Sequence, residues 1–256
     1  MSWIAGIDVG GTFTDLIAVD SASGEVRLAK VPTTPENQAY GVLAAIDEAK
    51  LAPGEIALIV HGTTTTTNAL LERKLAKTGL ITTQGFRDVL ELGRRTRPRP
   101  YGLTGWFEPL IPRELRLEVP ERMDAEGLPV IPLDEAAVRI AVRKLIDAGC
   151  ESLVIHYLHS YINPAHERRT LEIARETWPN RYITAGHTLL SEYREYERGV
   201  TAAVNASVQP VLDRYIERLR SELKRRGFTR DLLVMQGNGG TVSSAIVAEG
   251  AANTVM

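Results

Sequence analysis

Cysteine is all but missing: Cys150 is the only one among 256 residues. That excludes an internal disulfide framework and fits a reducing compartment. Charge of one sign is missing too, with 30 Lys and Arg against 32 Asp and Glu. Nothing in that balance attracts nucleic acid or an anionic membrane surface. Aromatic residues are scarce, at 6%. No apolar run approaches the roughly 20 residues that span a bilayer, and the first residues show neither the basic nor the apolar part of a secretory leader. These absences predict a soluble, cytoplasmic protein that works without nucleic acid or membrane.

What is present is an ordinary globular composition, 44% hydrophobic and 24% charged, with strand and helix signals in alternation, which predicts an α/β fold. Trp3 to Asp8 and Thr14 to Val19 are β-rich runs around Gly10-Gly11, and Val26 to Val31 is a third. Pro35 opens a helix through Lys50 with apolar residues at helical spacing. Ile56 to Val60 is a continuous apolar run, the pattern of a strand covered on both faces. Thr63 to Thr67 leads into a helical Asn68 to Ala76, and Leu80 to Thr83 is a strand. Residues 94–132 are rich in proline, including Pro98 and Pro100, and read as an irregular excursion anchored by Tyr101, Trp106, Phe107 and Leu115. Regular α/β texture then resumes, and a long helix runs from Glu195 to Arg226 with Gly199 and Pro210 as expected interruptions. Leu232 to Gln236 is a strand that ends in Gly237-Asn238-Gly239-Gly240.

Chemistry concentrates in Asp8-Val9-Gly10-Gly11-Thr12-Phe13-Thr14-Asp15. Adjacent glycines remove the Cβ atoms that keep a phosphate away from backbone N–H groups, and they accept positive φ. Thr12 and Thr14 add hydroxyls beside that nest of amides. Asp8 and Asp15 supply hard oxygens of the kind that bind Mg2+. Without the flanking acids and threonines, a Gly-Gly turn is only a hairpin turn. Two further glycine turns, Gly62-Thr63-Thr64 and Asn238-Gly239-Gly240, follow strands and could face an anion. Each could equally be a plain cap or turn. His156, His159 and His166 lack metal-site spacing and read as structural. Cys150 reads as a small buried residue. Glu192, Arg194, Glu195, Glu197 and Arg198 read first as a solvated helix start, with a substrate or interdomain role as the second reading, and Val211 to Lys224 as core packing.

The hairpin resembles the first phosphate motif of the actin, heat-shock cognate and sugar kinase superfamily. The chain as a whole resembles the hydantoinase A/oxoprolinase family. That resemblance rests on His61-Gly62-Thr63-Thr64 with Asn68 to Arg73, on Thr83 to Glu91, and on Leu158-His159-Ser160-Tyr161 with Asn163 to Arg169. Arg194 to Arg198 and Gln236 to Gly240 complete it, the family more often having Ser at Gly237. It implies a ribonuclease-H-like ATPase fold, with mixed sheets flanked by helices. Segments would be residues 1–93 with the phosphate hairpin, 94–132, 133–190 completing the N-terminal region, and 191–256 beginning the hydantoinase A core. Family members continue into a second such hairpin; one is present here, so this sequence is expected to supply one half of the nucleotide clamp. The implied function is ATP-dependent hydrolysis of a cyclic amide such as a hydantoin, 5-oxoproline or a lactam, through phosphorylation of the carbonyl oxygen. Gly10, Gly11, Thr12, Phe13, Thr14, Gly62, Thr63, Thr64, Asn238, Gly239 and Gly240 would hold ATP, Asp8 would be catalytic, and Asp8 and Asp15 would hold Mg2+. A hydantoinase B-type subunit and a homo- or hetero-oligomer are implied as well. The alternatives are the ATP-binding subunit of an acetone- or acetophenone-type carboxylase, and a non-catalytic interaction module that keeps the hairpin as structure.

Overall fold

The computed structural model describes residues 3–34, 38–94, 96, 99, 101, 102, 105 and 107–255. Pro35, Pro98, Pro100 and Trp106 of the sequence analysis lie outside these residues. In chain order the elements are β1 (Trp3–Val9), β2 (Phe13–Asp20), β3 (Val26–Pro32), α1 (Gln38–Glu48), β4 (Ile56–Thr63), α2 (Thr65–Leu71), β5 (Thr78–Thr83) and α3 (Val89–Leu92). Then come β6 (Arg116–Val119), β7 (Arg122–Met123), β8 (Pro129–Ile131), α4 (Glu135–Asp147), β9 (Ser152–His156), α5 (Ala165–Arg175), β10 (Ile183–Ala185), α6 (Gly186–Leu189), α7 (Glu195–Arg225), β11 (Leu232–Met235) and β12 (Thr241–Ser243).

They form two compact units, Met1–Lys74 with Val211–Met256, and Leu75–Pro210. These units cut across the sequential segments 1–93, 94–132, 133–190 and 191–256. Helix α7 belongs to both, and Pro210 is the last residue of the second unit. Gly199 and Pro210 do not interrupt that helix, which runs unbroken for 31 residues.

In the first unit the sheet order is β12-β11-β4-β1-β2-β3. β1, β2 and β3 are antiparallel neighbours, while β4 runs parallel to β1 and β11 parallel to β4. This is the mixed α/β, ribonuclease-H-like arrangement that the family resemblance implies. Strict alternation in β1 and β2 puts Ala5, Ile7, Val9, Leu16 and Ala18 on one face. There they meet Val42, Leu43 and Ile46 of α1 and Leu219 and Leu223 of α7. Burial of each such aliphatic side chain is worth roughly 1.5–3 kcal/mol. Gly41 sits where α1 crosses β2, and a Cβ there would lie 2.7 Å from Thr14 Oγ1. The opposite face of the sheet leaves Ile4, Ile17, Val19, Val26 and Leu28 exposed, Leu28 at 72%. Leu58 and Val60 of β4 are half-buried there, although the apolar run predicts cover on both faces.

The second unit holds a fully parallel sheet, β10-β9-β5-β6, with α4 and α5 among its packed helices. Its core joins Leu80, Ile81, Leu153, Val154 and Ile155 to Val138, Val142 and Leu145 of α4. Part of the proline-rich stretch is regular here: β6 is an edge strand of this sheet, and Ile111 and Leu115 are buried. Tyr101 and Phe107, expected as anchors, are exposed at 90% and 40%. Among the described residues no helix is long and apolar enough to cross a membrane.

Candidate functional site

Because β1, β4 and β11 run parallel, their carboxyl ends reach one edge of the first unit's sheet. That edge is where ligands gather on α/β sheets. It brings together the three glycine turns singled out in the sequence. The Thr64 amide and hydroxyl both donate to the Val9 carbonyl, at 3.4 and 3.3 Å, so the second turn rests directly on the first.

The first turn is tight, with the Gly10 amide donating to the Phe13 carbonyl at 3.0 Å. Neither Gly10 nor Gly11 is among the glycines with positive φ, so conformational licence is not what the pair supplies. A Cβ on Gly10 would lie 3.2 Å from the Phe13 carbonyl, whereas one on Gly11 would meet nothing within 4 Å. Gly11 therefore leaves open space beside backbone amides, which is what a phosphate needs. Thr12 is exposed, and its carbonyl accepts from the Thr33 amide. Thr14 is placed differently from the sequence expectation. Its side chain is fully buried and its hydroxyl bonds Thr33 Oγ1 at 3.0 Å, because strand alternation turns it toward α1. Phe13 is half exposed beneath the Lys30 ammonium.

Asp8 and Asp15 are register partners on the other, open face. Lys30, the partner of Asp15 on β3, donates to both Asp15 oxygens at 2.8 and 3.0 Å. Gly62 lies beside Asp8 on β4, and a Cβ there would approach Asp8 Oδ1 to 2.7 Å. Glycine thus keeps the Asp8 carboxylate free to adopt its position. A cavity of about 790 Å³ opens on this face, lined by Asp8, Asp15, Lys30, Gly62 and the apolar Ile17 and Leu28.

Thr63 is buried, and its hydroxyl pairs with Thr65 Oγ1 at 2.8 Å. Helix α2 spans Thr65–Leu71, so Thr65 to Thr67 are already helical while Thr63 ends β4, and the helix stops short of the expected Ala76. The third turn joins β11 to β12, a β-hairpin rather than a β-to-α turn. Its amides are internally engaged: Gly239 N–H donates to the Gln236 carbonyl and Gly240 N–H to Asn238 Oδ1. At Gly237 a Cβ would lie 2.7 Å from the Val255 carbonyl, a close approach that glycine permits.

A second cavity, of about 430 Å³, adjoins Gly11 and is lined by Gln38, Thr65, Asn68, Arg214 and Arg218. The apolar spacing from Val211 predicts packing alone for this stretch of helix. The two arginines four residues apart were the signal that its other face is cationic. Behind this cavity His61 is buried, its Nε2 2.8 Å from the Tyr215 hydroxyl. Burial lowers its pKa to about 4, which keeps the ring neutral near pH 7.

In the second unit the remaining motifs converge on Glu167, which accepts from the Tyr157 amide, the Ser160 hydroxyl and the His187 amide at 2.7–2.9 Å. These donors hold the carboxyl below its usual range against a strong opposing effect of burial. Arg198 is not solvated as expected but fully buried, donating to the Tyr157 carbonyl and Ser160 Oγ at 2.9 and 2.6 Å. His156 Nε2 faces the Glu195 carbonyl at 3.0 Å, an acceptor, and so carries the ring proton, while Nδ1 lies 3.2 Å from Arg198 Nη2. His166 Nδ1 lies 2.8 Å from Glu121. Cys150 is buried as expected.

The profile of the hydantoinase/oxoprolinase N-terminal region matches residues 4–178, and that of hydantoinase/oxoprolinase matches residues 198–256. An uncharacterized protein of Methanocaldococcus jannaschii is 40% identical over 94% of this chain and 36% of its own length. The caprolactamase subunit alpha of Pseudomonas jessenii is 36% identical over 98% of this chain and 37% of its own. The nucleotide-free structure of acetone carboxylase, described as an ATP-dependent carboxylation enzyme, superposes with a TM-score of 0.85 at 31% identity, over 98% of this chain and 38% of that one. The chain therefore spans little more than a third of the relatives it matches. It belongs to the hydantoinase/oxoprolinase family.

Proposed function

We propose that these 256 residues supply the nucleotide-holding part of a cytosolic, ATP-dependent enzyme that hydrolyses a cyclic amide. The observation that carries this reading is the shared edge, where the Gly11 opening, Thr12 and the Gly62-Thr63-Thr64 turn stand beside Asp8. The relatives named as a caprolactamase and as an ATP-dependent carboxylase support it. An unstrained amide is a poor electrophile; phosphorylation of its oxygen by ATP makes that oxygen part of a leaving group. The chain's own task is then positioning and charge neutralisation.

In this reading Gly11 and Thr12 present backbone and hydroxyl donors to the phosphates, Gly10 closes the turn through its bond to the Phe13 carbonyl, and Gly62 and Thr64 stand at the same edge. Thr14 and Thr63 fix the turns from behind. Asp8 and Asp15 fit Mg2+ as two hard-oxygen donors on one face. Asp8 is the stronger candidate, since Asp15 is already held by Lys30. A hydantoinase B-type subunit completes the assembly, as the word subunit in the caprolactamase name suggests for that relative.

The likeness to acetone carboxylase favours one second reading, in which the same nucleotide site serves carboxylation. ATP turnover by the protein co-expressed with its partner subunit separates the two. Turnover that requires a hydantoin or lactam and ignores bicarbonate supports the hydrolase. Turnover that requires bicarbonate and a ketone replaces it with the carboxylase.

A further inference from the structure

The parallel sheet of the second unit carries a polar cluster that nucleotide binding does not use. From β5 the chain goes to β6 on one side, and from β9 to β10 on the other, so the strand order reverses between β5 and β9. The carboxyl end of such a reversal is the ordinary ligand crevice of an open α/β sheet. Here the Leu158 amide donates to Thr83 Oγ1 at 3.0 Å across that point. The loop then turns at His159, a non-glycine residue with φ near 56°. The His159 amide donates to Glu195 Oε1 at 3.0 Å.

One helical turn separates Glu195 from Arg198, and their facing atoms, Oε2 and Nη2, are 3.4 Å apart. Among the described residues, Glu195 Oε2 and Arg198 Nε and Nη1 are buried without a hydrogen-bond partner. Unmade hydrogen bonds on buried charged groups are costly and call for an explanation. The Arg198 side chain is completely buried, while Glu195 keeps 21% of its side chain exposed. The half-buried ring of Tyr161 covers the guanidinium, 5.5 Å away.

We propose that Glu195 and Arg198 form a binding site for the edge of a cyclic amide, entered past Tyr161. The guanidinium offers N–H donors to the carbonyl oxygen, and the carboxylate accepts from the amide N–H. An anion is disfavoured by the carboxylate, and a cation by the guanidinium, so the pair suits a neutral ligand carrying one acceptor and one donor side by side. Among secondary amides only one held cis presents C=O and N–H on one edge, and a small ring enforces that geometry; open-chain secondary amides are trans. This site rests on the proposed amidohydrolase reading and names the group that would recognise its substrate.

The test titrates the 256-residue chain, without nucleotide, with 2-pyrrolidinone while its backbone amide NMR signals are followed. Saturable shifts at His159, Tyr161 and Glu195 are expected. N-methyl-2-pyrrolidinone lacks the N–H and should bind about tenfold more weakly or worse, as should 2-pyrrolidinone to Glu195→Gln. That variant keeps an acceptor for the His159 amide; if it fails to fold, the N-methyl comparison on the natural chain decides alone. Absence of saturable shifts at these residues, equal affinity for the N-methyl ring, or binding of bicarbonate alone would overturn the assignment. Lactam binding by a chain that shows no response to Mg-ATP would sink the nucleotide reading and leave this site standing.

Discussion

Asp8 and Asp15 face each other across the β1–β2 ladder on the same side of the sheet, and Lys30 holds only the second through both its oxygens. Two like charges in direct register cost stability, roughly 0.2–1 kcal/mol in a sheet. Asp8→Asn should therefore leave the protein as stable as before or slightly more so in chemical denaturation, while removing Mg2+-dependent nucleotide binding. A loss of more than about 1 kcal/mol would show that Asp8 is structural.

Gly11 and Gly41 separate binding from packing. Gly11→Ala meets open space at an unstrained φ, so its unfolding midpoint should stay within about 0.5 kcal/mol of the parent while phosphate binding weakens. Gly41→Ala forces a methyl to within 2.7 Å of Thr14 Oγ1 and should cost about 1–3 kcal/mol. Equal destabilisation by both changes would contradict the open position assigned to Gly11.

The buried histidines predict acid sensitivity. His61 and His156 are each lowered from 6.5 to about 4, chiefly by burial. Below pH 6.5 the unfolded chain takes up protons at these positions and the folded chain does not until about pH 4. Stability is thus full above 6.5 and falls as pH drops toward 4, by on the order of 3 kcal/mol per histidine. His61→Gln and His156→Gln should each flatten that slope in denaturant titrations between pH 6.5 and 4.5. An unchanged slope would place the titrating groups elsewhere.

Glu167 is fully buried with its oxygens taken up by His187, Ser160 and the Tyr157 amide, beside Arg198. Removing one partner from a buried charge cluster typically costs 3–5 kcal/mol. Glu167→Ala should show a loss of that size by thermal or chemical unfolding, and a cost below 1 kcal/mol would refute the network described.

The alternation in β1 and β2, the apolar run of β4 and the helical spacing of α1 were legible in sequence because each follows from one local period. The glycine turns were legible as a group through the family motifs. Their internal geometry was not: whether Thr14 faces a phosphate or Thr33 depends on which face of β2 α1 covers, a tertiary fact. Arg198 misled for the same reason, since a charged helix start reads as solvated until the Tyr157–Ser160 loop is known to wrap it. The Arg214–Arg218 face was hidden beneath the core periodicity of the same helix. Pro210 read as a break, yet the helix passes through it and changes units there.

Titration of the chain with ATP, followed through the backbone NMR signals of Gly10, Gly11 and Thr12 with and without Mg2+, bears most directly on the nucleotide role and detects even millimolar binding. Saturable shifts at these three residues that require Mg2+ and vanish in Asp8→Asn are expected. Shifts confined to other parts of the chain, or shifts at the turn indifferent to both Mg2+ and Asp8, would contradict the assignment of this hairpin to a nucleotide's phosphates.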